Sequence, residues 1–291
     1  MPPDRRRGLN VLTVDVEEYY HGVEFTRALG REALGRLPSR VVAATERLLD
    51  LLDRHRARAT FFTLGVVAER HPGLVRRLVA RGHELASHGW DHTPVFAQDR
   101  DAFRRDVRRA KQALEQAGGC AVAGYRAPNY SIRRDTPWAF TILWEEGYRY
   151  DSSIHPIAHD RYSFPDAPRF PHVALTVDGA DFWEVPVGTA RLAGTNLPLG
   201  GGFFRLFPLA WLQAAIASVN RREGRPVVLY LHPWELDPGQ PRVPMPWHHR
   251  LRHYVGLDRT EAKLTALLEA FTFTSIADAF GAILAAQPAA A

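Results

Sequence analysis

Short runs rich in β-branched and aromatic residues alternate with longer segments of helical periodicity, and this alternation constrains the fold more than any other feature. Residues 9–16 and 227–232 are runs of the first kind. In residues 39–55 apolar side chains recur every three or four positions, which is typical of an amphipathic helix. Strands that alternate with helices usually pair in parallel through right-handed crossovers. The sequence therefore predicts an α/β protein, with either a barrel or an open doubly wound sheet.

The same patterns set the boundaries of the predicted elements. The predicted strands are 9–16, 60–64, 83–87, 122–126, 147–151, 181–187 and 227–232. The predicted helices are 39–55, 72–80, 100–116, 136–146, 208–220, 260–271 and 276–284. Two segments rich in proline and glycine, 158–180 and 188–207, have the least pattern, and we expect long surface loops there. No repeat or linker divides the sequence, so we expect a single domain over residues 1–291, with C-terminal helices from about 258.

Composition excludes several classes of protein. The 291 residues are 46% hydrophobic and 24% charged, which is typical of a packed globular chain and not of a disordered one. Lysine and arginine exceed the acidic residues by only five, and no basic tract is interleaved with aromatic residues, so we expect no nucleic-acid partner. Cys120 is the sole cysteine, which rules out an internal disulfide and a cysteine-rich zinc site.

The location of the protein is predicted from its apolar segments. No window approaches the roughly 18 continuous apolar residues of a membrane span. Basic residues 5–7 could begin a signal peptide, but the apolar stretch 9–14 that follows them is short and ends at Asp15. We therefore expect a cytoplasmic protein without a signal peptide or transmembrane segment. Peripheral contact with a membrane and assembly into a homo-oligomer are left open.

Polar residues fall at the ends of the predicted strands. In a parallel barrel the carboxyl ends of all strands lie on one face, where such folds have their active sites. Any one of these residues, taken alone, is more readily explained as a cap or a turn residue. Together they predict a site to which several strands contribute. The residues are Asp15, Glu17, His88, Arg126, Asp151 and His232.

A metal site is indicated by two histidines with a suitable spacing. His88 and His92 are four residues apart in the segment SHGWDH and can present two imidazole nitrogens across one turn. The acidic cluster Asp15, Glu17 and Glu18 offers a carboxylate as third ligand. Asp15 and Glu17 face the same side of a strand, so one of them could bind a metal ion while the other stays free as a base. Histidines that are merely exposed or hydrogen-bonded, and acids in surface ion pairs, are the competing interpretations.

Five blocks of sequence carry a resemblance to a known family. In order along residues 9–233, the chain resembles polysaccharide deacetylases of the NodB-homology type, carbohydrate esterase family 4. It is most similar to the subgroup associated with exosortase and exopolysaccharide loci, through DVEEYY at 15–20, GGGFFR at 200–205 and HPWE at 232–235. The five blocks are TVDVE at 13–17, SHGWDH at 87–92, RAPNY at 126–130, YDSS at 150–153 and LYLH at 229–232.

The resemblance implies a distorted (β/α) barrel and metal-dependent hydrolysis of an N-acetyl group on a sugar. It implies that Asp15 is the general base, His88 and His92 are metal ligands, Arg126 holds the base, Asp151 adjusts the acid and His232 is the general acid. The imidazolium of His232 needs a carboxylate nearby, and Glu184 is a second candidate for it besides Asp151. The family pattern has two adjacent aspartates, and here the second is replaced by Val16. We assign its metal role to Glu17 by strand alternation, with Glu18 or water alone as the alternatives.

The expected function follows from these assignments. We expect a metal-dependent hydrolase that removes N-acetyl groups from N-acetylhexosamine units of an exopolysaccharide or its precursor. The expected cofactor is one divalent ion, zinc first, with Fe²⁺, Co²⁺, Mn²⁺ and Ni²⁺ as alternatives. The expected partner is the N-acetylated glycan. Aromatic residues such as Tyr130 and Trp234 could stack on its sugar rings, with core packing as the alternative. The three glycines at 200–202 indicate either close approach of the backbone in a loop over the site or a plain turn.

Three other functions compete with this one. A hydrolase of small linear amides, similar to allantoinase, would use the same chemistry. A mononuclear Fe(II) oxygenase uses similar ligands, but such enzymes are typically all-β and lack the base, the arginine and the second histidine. A carbohydrate-binding protein without catalysis is disfavoured because the set of acid, base and ligands is complete.

Overall fold

A mostly parallel sheet is the frame of the molecule in the computed structural model, which describes residues 9–158 and 164–285. The residues considered above as a signal peptide start, 5–7, lie outside this part. The strands are β1 Leu9–Val16, β2 Thr60–Thr63, β3 Glu84–Ser87, β4 Gly124–Tyr125, β5 Tyr150–Asp151, β6 His172–Val177, β7 Ala180–Glu184, β8 Thr189–Leu192, β9 Thr195–Pro198, β10 Val228–Leu231 and β11 Thr272–Thr274.

Helices connect most of these strands. They are α1 Val23–Leu29, α2 Arg31–Leu34, α3 Val41–His55, α4 Gly65–Arg70, α5 Pro72–Ala80, α6 Arg100–Gly118, α7 Trp138–Glu145, α8 Gly201–Leu206, α9 Leu209–Ser218, α10 Trp247–Tyr254, α11 Leu257–Ala270 and α12 Ile276–Ala285. Among the described helices, none has both the length and the hydropathy needed to span a membrane.

The order of strands in the sheet is β10-β1-β2-β3-β4-β5-β7-β6, and β11 pairs with β1 as well. All neighbours are parallel except β6 and β7, which form an antiparallel hairpin. In β1 every residue after Leu9 is buried, because strands lie beside it and helices cover it. Burial on both faces explains why β1 reads as a nearly continuous apolar run.

The chain that leaves β7 closes the sheet toward a barrel. Val187 donates a backbone hydrogen bond to Ile154 at 3.1 Å, and the next residue, Gly188, donates one to Val228 of β10 at 2.8 Å. The segment after β7 therefore connects the chain that follows β5 with β10, the strand at the opposite edge of the sheet. The predicted α/β class and the distorted (β/α) barrel are confirmed.

Two hydrophobic clusters pack the helices against the sheet. The larger one joins α3, α9 and α11 to β1, β2 and β10, for example through Leu48, Leu264 and Leu229. The second joins α6 and α7 to β3 and β4 through residues such as Phe103 and Leu143. Each helix presents apolar residues at helical spacing toward the sheet. The carboxyl ends of the strands are thus held in fixed positions.

The prediction of long loops at 158–180 and 188–207 is wrong for much of these segments. They contain the strand β6, the two-stranded β8–β9 hairpin and helix α8. The β6–β7 turn has Asp178 and Gly179 at φ 51° and 80°, and the β8–β9 turn has Ala193 and Gly194 at φ 48° and 81°. Two successive residues with positive φ are typical of the tightest hairpin turns, and Asp-Gly is a strong sequence signal for them.

The contact that closes the barrel can be tested at Gly188. A Cβ at this position would lie 2.7 Å from the backbone oxygen of Val228 and 2.7 Å from Val227 Cγ1. We expect Gly188→Ala to lower the free energy of unfolding by about 1–3 kcal/mol, as overpacking does in other proteins. Urea denaturation would measure it. Gly281→Ala in α12 is the control: its Cβ meets no atom within 4 Å, so the helix should gain about 0.5–1 kcal/mol. An unchanged midpoint for Gly188→Ala would contradict this close contact.

Candidate active site

A cavity of about 450 Å³ opens at the carboxyl ends of β1, β3 and β10. Its floor holds predicted site residues from the three strand ends, and its rim is formed by residues of α8 and α10. Arg126 and Asp151 do not line it. The floor residues that the sequence predicted are Asp15, Glu17, His88, His92 and His232.

Glu17, His88 and His92 form a compact cluster at this floor. One possible ligand atom from each residue lies within 4.8 Å of the other two, and all three side chains are buried. Glu17 Oε2 is 2.6 Å from His92 Nε2 and 4.0 Å from His88 Nε2, yet it accepts no well-directed hydrogen bond. Two imidazole nitrogens and a buried carboxylate oxygen without such a bond fit a divalent cation with further positions open.

The backbone fixes both histidines. His88 donates its backbone N–H to Thr63 at 3.0 Å, which continues the parallel pairing of β3 with β2. Its Nδ1 lies 2.8 Å from the carbonyl oxygen of Arg126, so Nε2 faces Glu17. Burial lowers the pKa of His88 to about 4, which keeps the ring in the neutral form that binds metals.

The loop after β3 carries His92 in a left-handed conformation. The backbone φ of His92 is 67°, which is uncommon for a residue with a side chain. Asp106 on α6 holds the loop, because its Oδ1 accepts the N–H of Trp90 at 3.1 Å. Strained backbone conformations of this kind are found at functional sites, where the surroundings enforce them.

Strand alternation separates Glu17 from its neighbour Glu18. Glu17 Oε1 accepts the indole N–H of Trp234 at 3.2 Å. Glu18 points the other way, where it accepts the hydroxyl of Ser39 and the backbone N–H of Arg40. The alternative ligand Glu18 is therefore not part of the cluster. Burial opposes the ionisation of Glu17, but His92 and then His232 hold its pKa well below the usual value.

Asp15 is bound by a fully buried arginine. Arg126 Nη1 donates to Asp15 Oδ1 at 2.7 Å and to Thr13 Oγ1 at 2.9 Å. The other side of the guanidinium donates to the backbone oxygen of Ser152 at 3.0 Å and to its hydroxyl at 2.8 Å. Asp15 Oδ2 remains directed toward His232 Nε2, 3.9 Å away. The arrangement fixes one oxygen of Asp15 and leaves the other toward the cavity.

His232 lies opposite the histidine pair. Its Nε2 is 3.7 Å from Glu17 Oε1, and its Nδ1 is 3.2 Å from Glu235 Oε2. Glu235 in turn accepts from Arg205 Nε at 2.7 Å. Burial by itself would lower the pKa of His232, but the hydrogen bond with Glu235 and the negative charges nearby raise it to about 9. The imidazole of His232 is therefore cationic at neutral pH.

The predicted contact between Asp151 and His232 is wrong, because Glu235 occupies that place. The single turn Pro233–Leu236 returns Glu235 to His232. Within this turn the side chain of Glu235 accepts the backbone N–H of His232, and the side chain of His232 lies against the backbone N–H of Glu235. This is the geometry of a capping box, a contact of short range along the chain. The spacing of His232 and Glu235 in HPWE was the signal available in the sequence.

Asp151 has a different position below the cavity floor. It accepts the backbone N–H and the hydroxyl of Ser153 at 2.9 and 2.6 Å. The alternative Glu184 lies beside Asp151 and accepts the N–H of Ile154 at 3.0 Å. Burial raises the pKa of both carboxyls, and for Glu184 the charge of Asp151 adds to it. The pair fixes the segment whose Ser152 binds Arg126, so its effect on the site is indirect.

Of the two interpretations of Trp234, sugar stacking and core packing, the structure supports core packing. Trp234 is only 7% exposed, and its two faces are covered by His232 at 4.9 Å and His253 at 4.5 Å. Its edge reaches the cavity and Glu17. Tyr130 lines the cavity too, and substrate contact there stays a prediction. Its backbone N–H donates to the carbonyl of Ala127 at 3.0 Å.

Gly200 and Gly201 allow the start of α8, where the sequence predicted a loop, to approach β10. A Cβ on Gly200 would lie 2.2 Å from the ring of Tyr230, and one on Gly201 would lie 2.5 Å from its hydroxyl. Tyr230 lines the cavity. The close approach expected from the sequence is therefore directed at a wall of the site.

Comparisons with known proteins divide the chain into two matched parts. Residues 37–149 match the family model described as polysaccharide deacetylase, and residues 152–281 match a domain of unknown function, DUF3473. The boundary falls at β5, and both parts contribute strands to the same sheet.

Similar proteins support the first assignment. A chitooligosaccharide deacetylase of Rhizobium leguminosarum bv. trifolii is 41% identical over 99 residues, which is 34% of this chain and 43% of that protein. The peptidoglycan-N-acetylglucosamine deacetylase PgdA of Listeria monocytogenes is 36% identical over 77 residues, 26% of this chain and 16% of PgdA. The chain thus spans less than half the length of these curated relatives.

A solved structure extends the likeness to the whole fold. A presumed polysaccharide deacetylase of Mycobacterium smegmatis superimposes with a TM-score of 0.64 at 23% identity, over 98% of this chain and 93% of that one. The resemblance found in the sequence motifs is confirmed. Over residues 37–149, the chain matches the polysaccharide deacetylase family and is similar to chitooligosaccharide and peptidoglycan deacetylases.

Proposed function

We propose that the chain is a metal-dependent N-deacetylase that acts on N-acetylhexosamine units of a glycan. One observation carries the proposal: a cluster of two histidines and a carboxylate lies beside an arginine-bound aspartate and a cationic histidine, all at one cavity. Amide hydrolysis needs this combination, because water must be activated and the leaving amine must be protonated.

Glu17, His88 and His92 would hold one divalent ion, for which we propose zinc. A divalent ion supplies two effects in such sites: it lowers the pKa of a water molecule and polarises a carbonyl group. Glu17 completes the set of ligands with a negative charge, and Trp234 orients its second oxygen. The contact between His88 and the backbone of Arg126 joins this site to the residue that binds Asp15.

Asp15 is the proposed general base. Arg126 holds one of its oxygens, so the other has a fixed direction toward the space between Glu17 and His232. The free oxygen can accept a proton from the attacking water as the bond to the acetyl carbon forms. Because Arg126 is buried and bound on both sides, the base keeps its position while its charge changes.

His232 is the proposed general acid. Protonation of the nitrogen is required before the amine can leave. Glu235 binds Nδ1 and stabilises the imidazolium, and Arg205 keeps Glu235 in place. Burial opposes the ionisation of Glu235, but Arg205 and then His232 lower its pKa to about 2. The proton on Nε2 therefore faces the cavity, where the substrate nitrogen would lie.

The proposed substrate is an N-acetylated glycan, in line with the chitooligosaccharide and peptidoglycan deacetylases to which part of the chain is similar. An exopolysaccharide or its precursor is our more specific proposal, and it depends on the motifs DVEEYY, GGGFFR and HPWE. We also propose that residues 1–291 work as one catalytic domain, since both matched parts supply residues to the cavity. The cytoplasmic location stays a prediction.

The role of Asp15 can be tested directly. We expect Asp15→Asn to reduce acetate release about 10²- to 10⁴-fold, because the general base is lost. Acetate would be assayed on chitooligosaccharides, peptidoglycan and exopolysaccharide, with and without a chelator. Metal content, measured in parallel, should stay at the wild-type level. Loss of metal together with activity would mean that Asp15 and Glu17 have each other's roles, and no acetate from any glycan would reject the deacetylase.

The carboxylate ligand can be identified with two matched variants. We expect Glu17→Gln to weaken Zn²⁺ binding at least about 100-fold, since loss of even an indirect contact typically costs 10- to 100-fold. Glu18→Gln makes the same change one residue later, where the side chain binds Ser39 and Arg40. It should leave Zn²⁺ affinity unchanged. Equilibrium dialysis with metal analysis measures both, and equal losses would argue against the assignment of Glu17.

The pairing of His232 with Glu235 has a consequence for the pH profile. The acid works only when protonated, so kcat falls as pH rises through the pKa of His232, which Glu235 raises. We expect Glu235→Gln to lower this pKa and to move the basic limb of the kcat profile to lower pH. Glu184→Gln, an equally buried change beside Asp151, should leave the basic limb in place. A shift with Glu184→Gln alone would restore the original assignment of Asp151.

A further inference from the structure

Large apolar side chains are exposed at the mouth of the cavity. Trp247 is 76% exposed, Leu206 is 53% exposed and Leu251 is 52% exposed. All three line the opening, Leu206 at the end of α8 and the other two on α10. Single exposed apolar residues are common on proteins, but a group around a functional cavity indicates a contact surface.

Helix α10 presents two of these side chains on a fixed support. Trp247 and Leu251 are four residues apart and therefore lie on the same face of the helix. The end of the helix is buried at His253 and Tyr254. Arg205 donates to the backbone oxygen of His253 at 2.6 Å, and the hydroxyl of Tyr254 accepts the N–H of Val243 at 3.0 Å. These contacts hold the buried end of α10, so its exposed face has a fixed position.

Positive charge lies next to this apolar face. A second hollow, of about 360 Å³, is lined by Arg242 and Arg250 and shares Trp247 and Leu251 with the catalytic cavity. The two shared residues form a ridge between the hollows. Residues 238–257 contain three arginines and no aspartate or glutamate. The surface therefore combines an apolar ridge with cations beside it.

We propose that this surface docks on an anionic lipid bilayer. Trp247, Leu251 and Leu206 enter the boundary between headgroups and acyl chains, and Arg242 and Arg250 bind lipid phosphates. Tryptophan and leucine beside arginine are the residues that interfacial helices use for this purpose. A symmetric contact between two copies would bring the basic segments of both together, which is unfavourable. Sugar stacking accounts for a tryptophan but not for the two leucines and the arginines.

The proposal goes beyond deacetylation and gives the cavity an orientation. With the ridge in the bilayer, the opening between α8 and α10 lies at the lipid surface. The glycan that reaches it is then one held close to the membrane. Binding to lipid requires no turnover, so the proposal and the proposed activity succeed or fail independently.

Sedimentation with lipid vesicles tests the proposal on the full chain. We expect binding to vesicles of phosphatidylglycerol and phosphatidylcholine, little binding to phosphatidylcholine alone, and release by salt. Arg242→Gln and Arg250→Gln should each weaken the partition about fivefold. The double variant Trp247→Ser/Leu251→Ser should abolish it. Leu192→Ser is the matched control, because Leu192 is 58% exposed on the β8–β9 hairpin, and it should bind like the wild type.

Several outcomes would overturn the proposal. Absence of binding to anionic vesicles is one, and equal binding by wild type and by Trp247→Ser/Leu251→Ser is another. Light scattering that shows a dimer lost in this double variant, with no lipid binding, would make the surface an interface between copies. Loss of binding to a soluble N-acetylglucosamine oligomer, again without lipid binding, would make it a glycan platform. Circular dichroism checks that each variant is folded.

Discussion

The buried ion pair between Arg126 and Asp15 is the contact on which the rest of the site depends. A buried guanidinium is costly unless its donors are satisfied, and here they bind Asp15, Thr13 and Ser152. Arg126 follows β4, Asp15 belongs to β1, and Ser152 follows β5. The pair therefore joins β1 and β4, which are not neighbours in the sheet. The backbone carbonyl oxygen of Arg126 also orients His88. The proposed base and the metal cluster share this one support.

Much of the site could be predicted because its residues stand at strand ends. The alternation of side chains along a strand of eight residues favoured Glu17 over Glu18, and the structure was needed to separate them. The distance between His88 and His92 along the chain was enough to suggest a shared ion. Strands β6, β8 and β9 were missed because their alternation is weak, with most of β6 only partly buried. The turn Asp178-Gly179 between β6 and β7 was a better signal than the strands themselves.

The partner of His232 could not be taken from the family pattern. Asp151 and His232 end different strands, and the sequence does not say how far apart these ends lie. The contact that forms instead is local, because Pro233 starts a turn that returns Glu235 to the imidazole. Hydrogen bonds within one turn can be read from spacing, whereas the roles of distant residues depend on packing. Trp234 shows the same limit: its burial between two histidines is a property of α10 and β10 together.

The position of Trp234 couples two parts of the chemistry. Its indole nitrogen touches Glu17, while its ring lies against His232. A displacement of this one side chain would therefore move both Glu17, a proposed metal ligand, and His232, the proposed general acid. A substitution at Trp234 would change the positions of both side chains together. Substitutions that enlarge the cavity for a bulkier glycan are therefore expected at other lining residues, such as those of the rim helices α8 and α10.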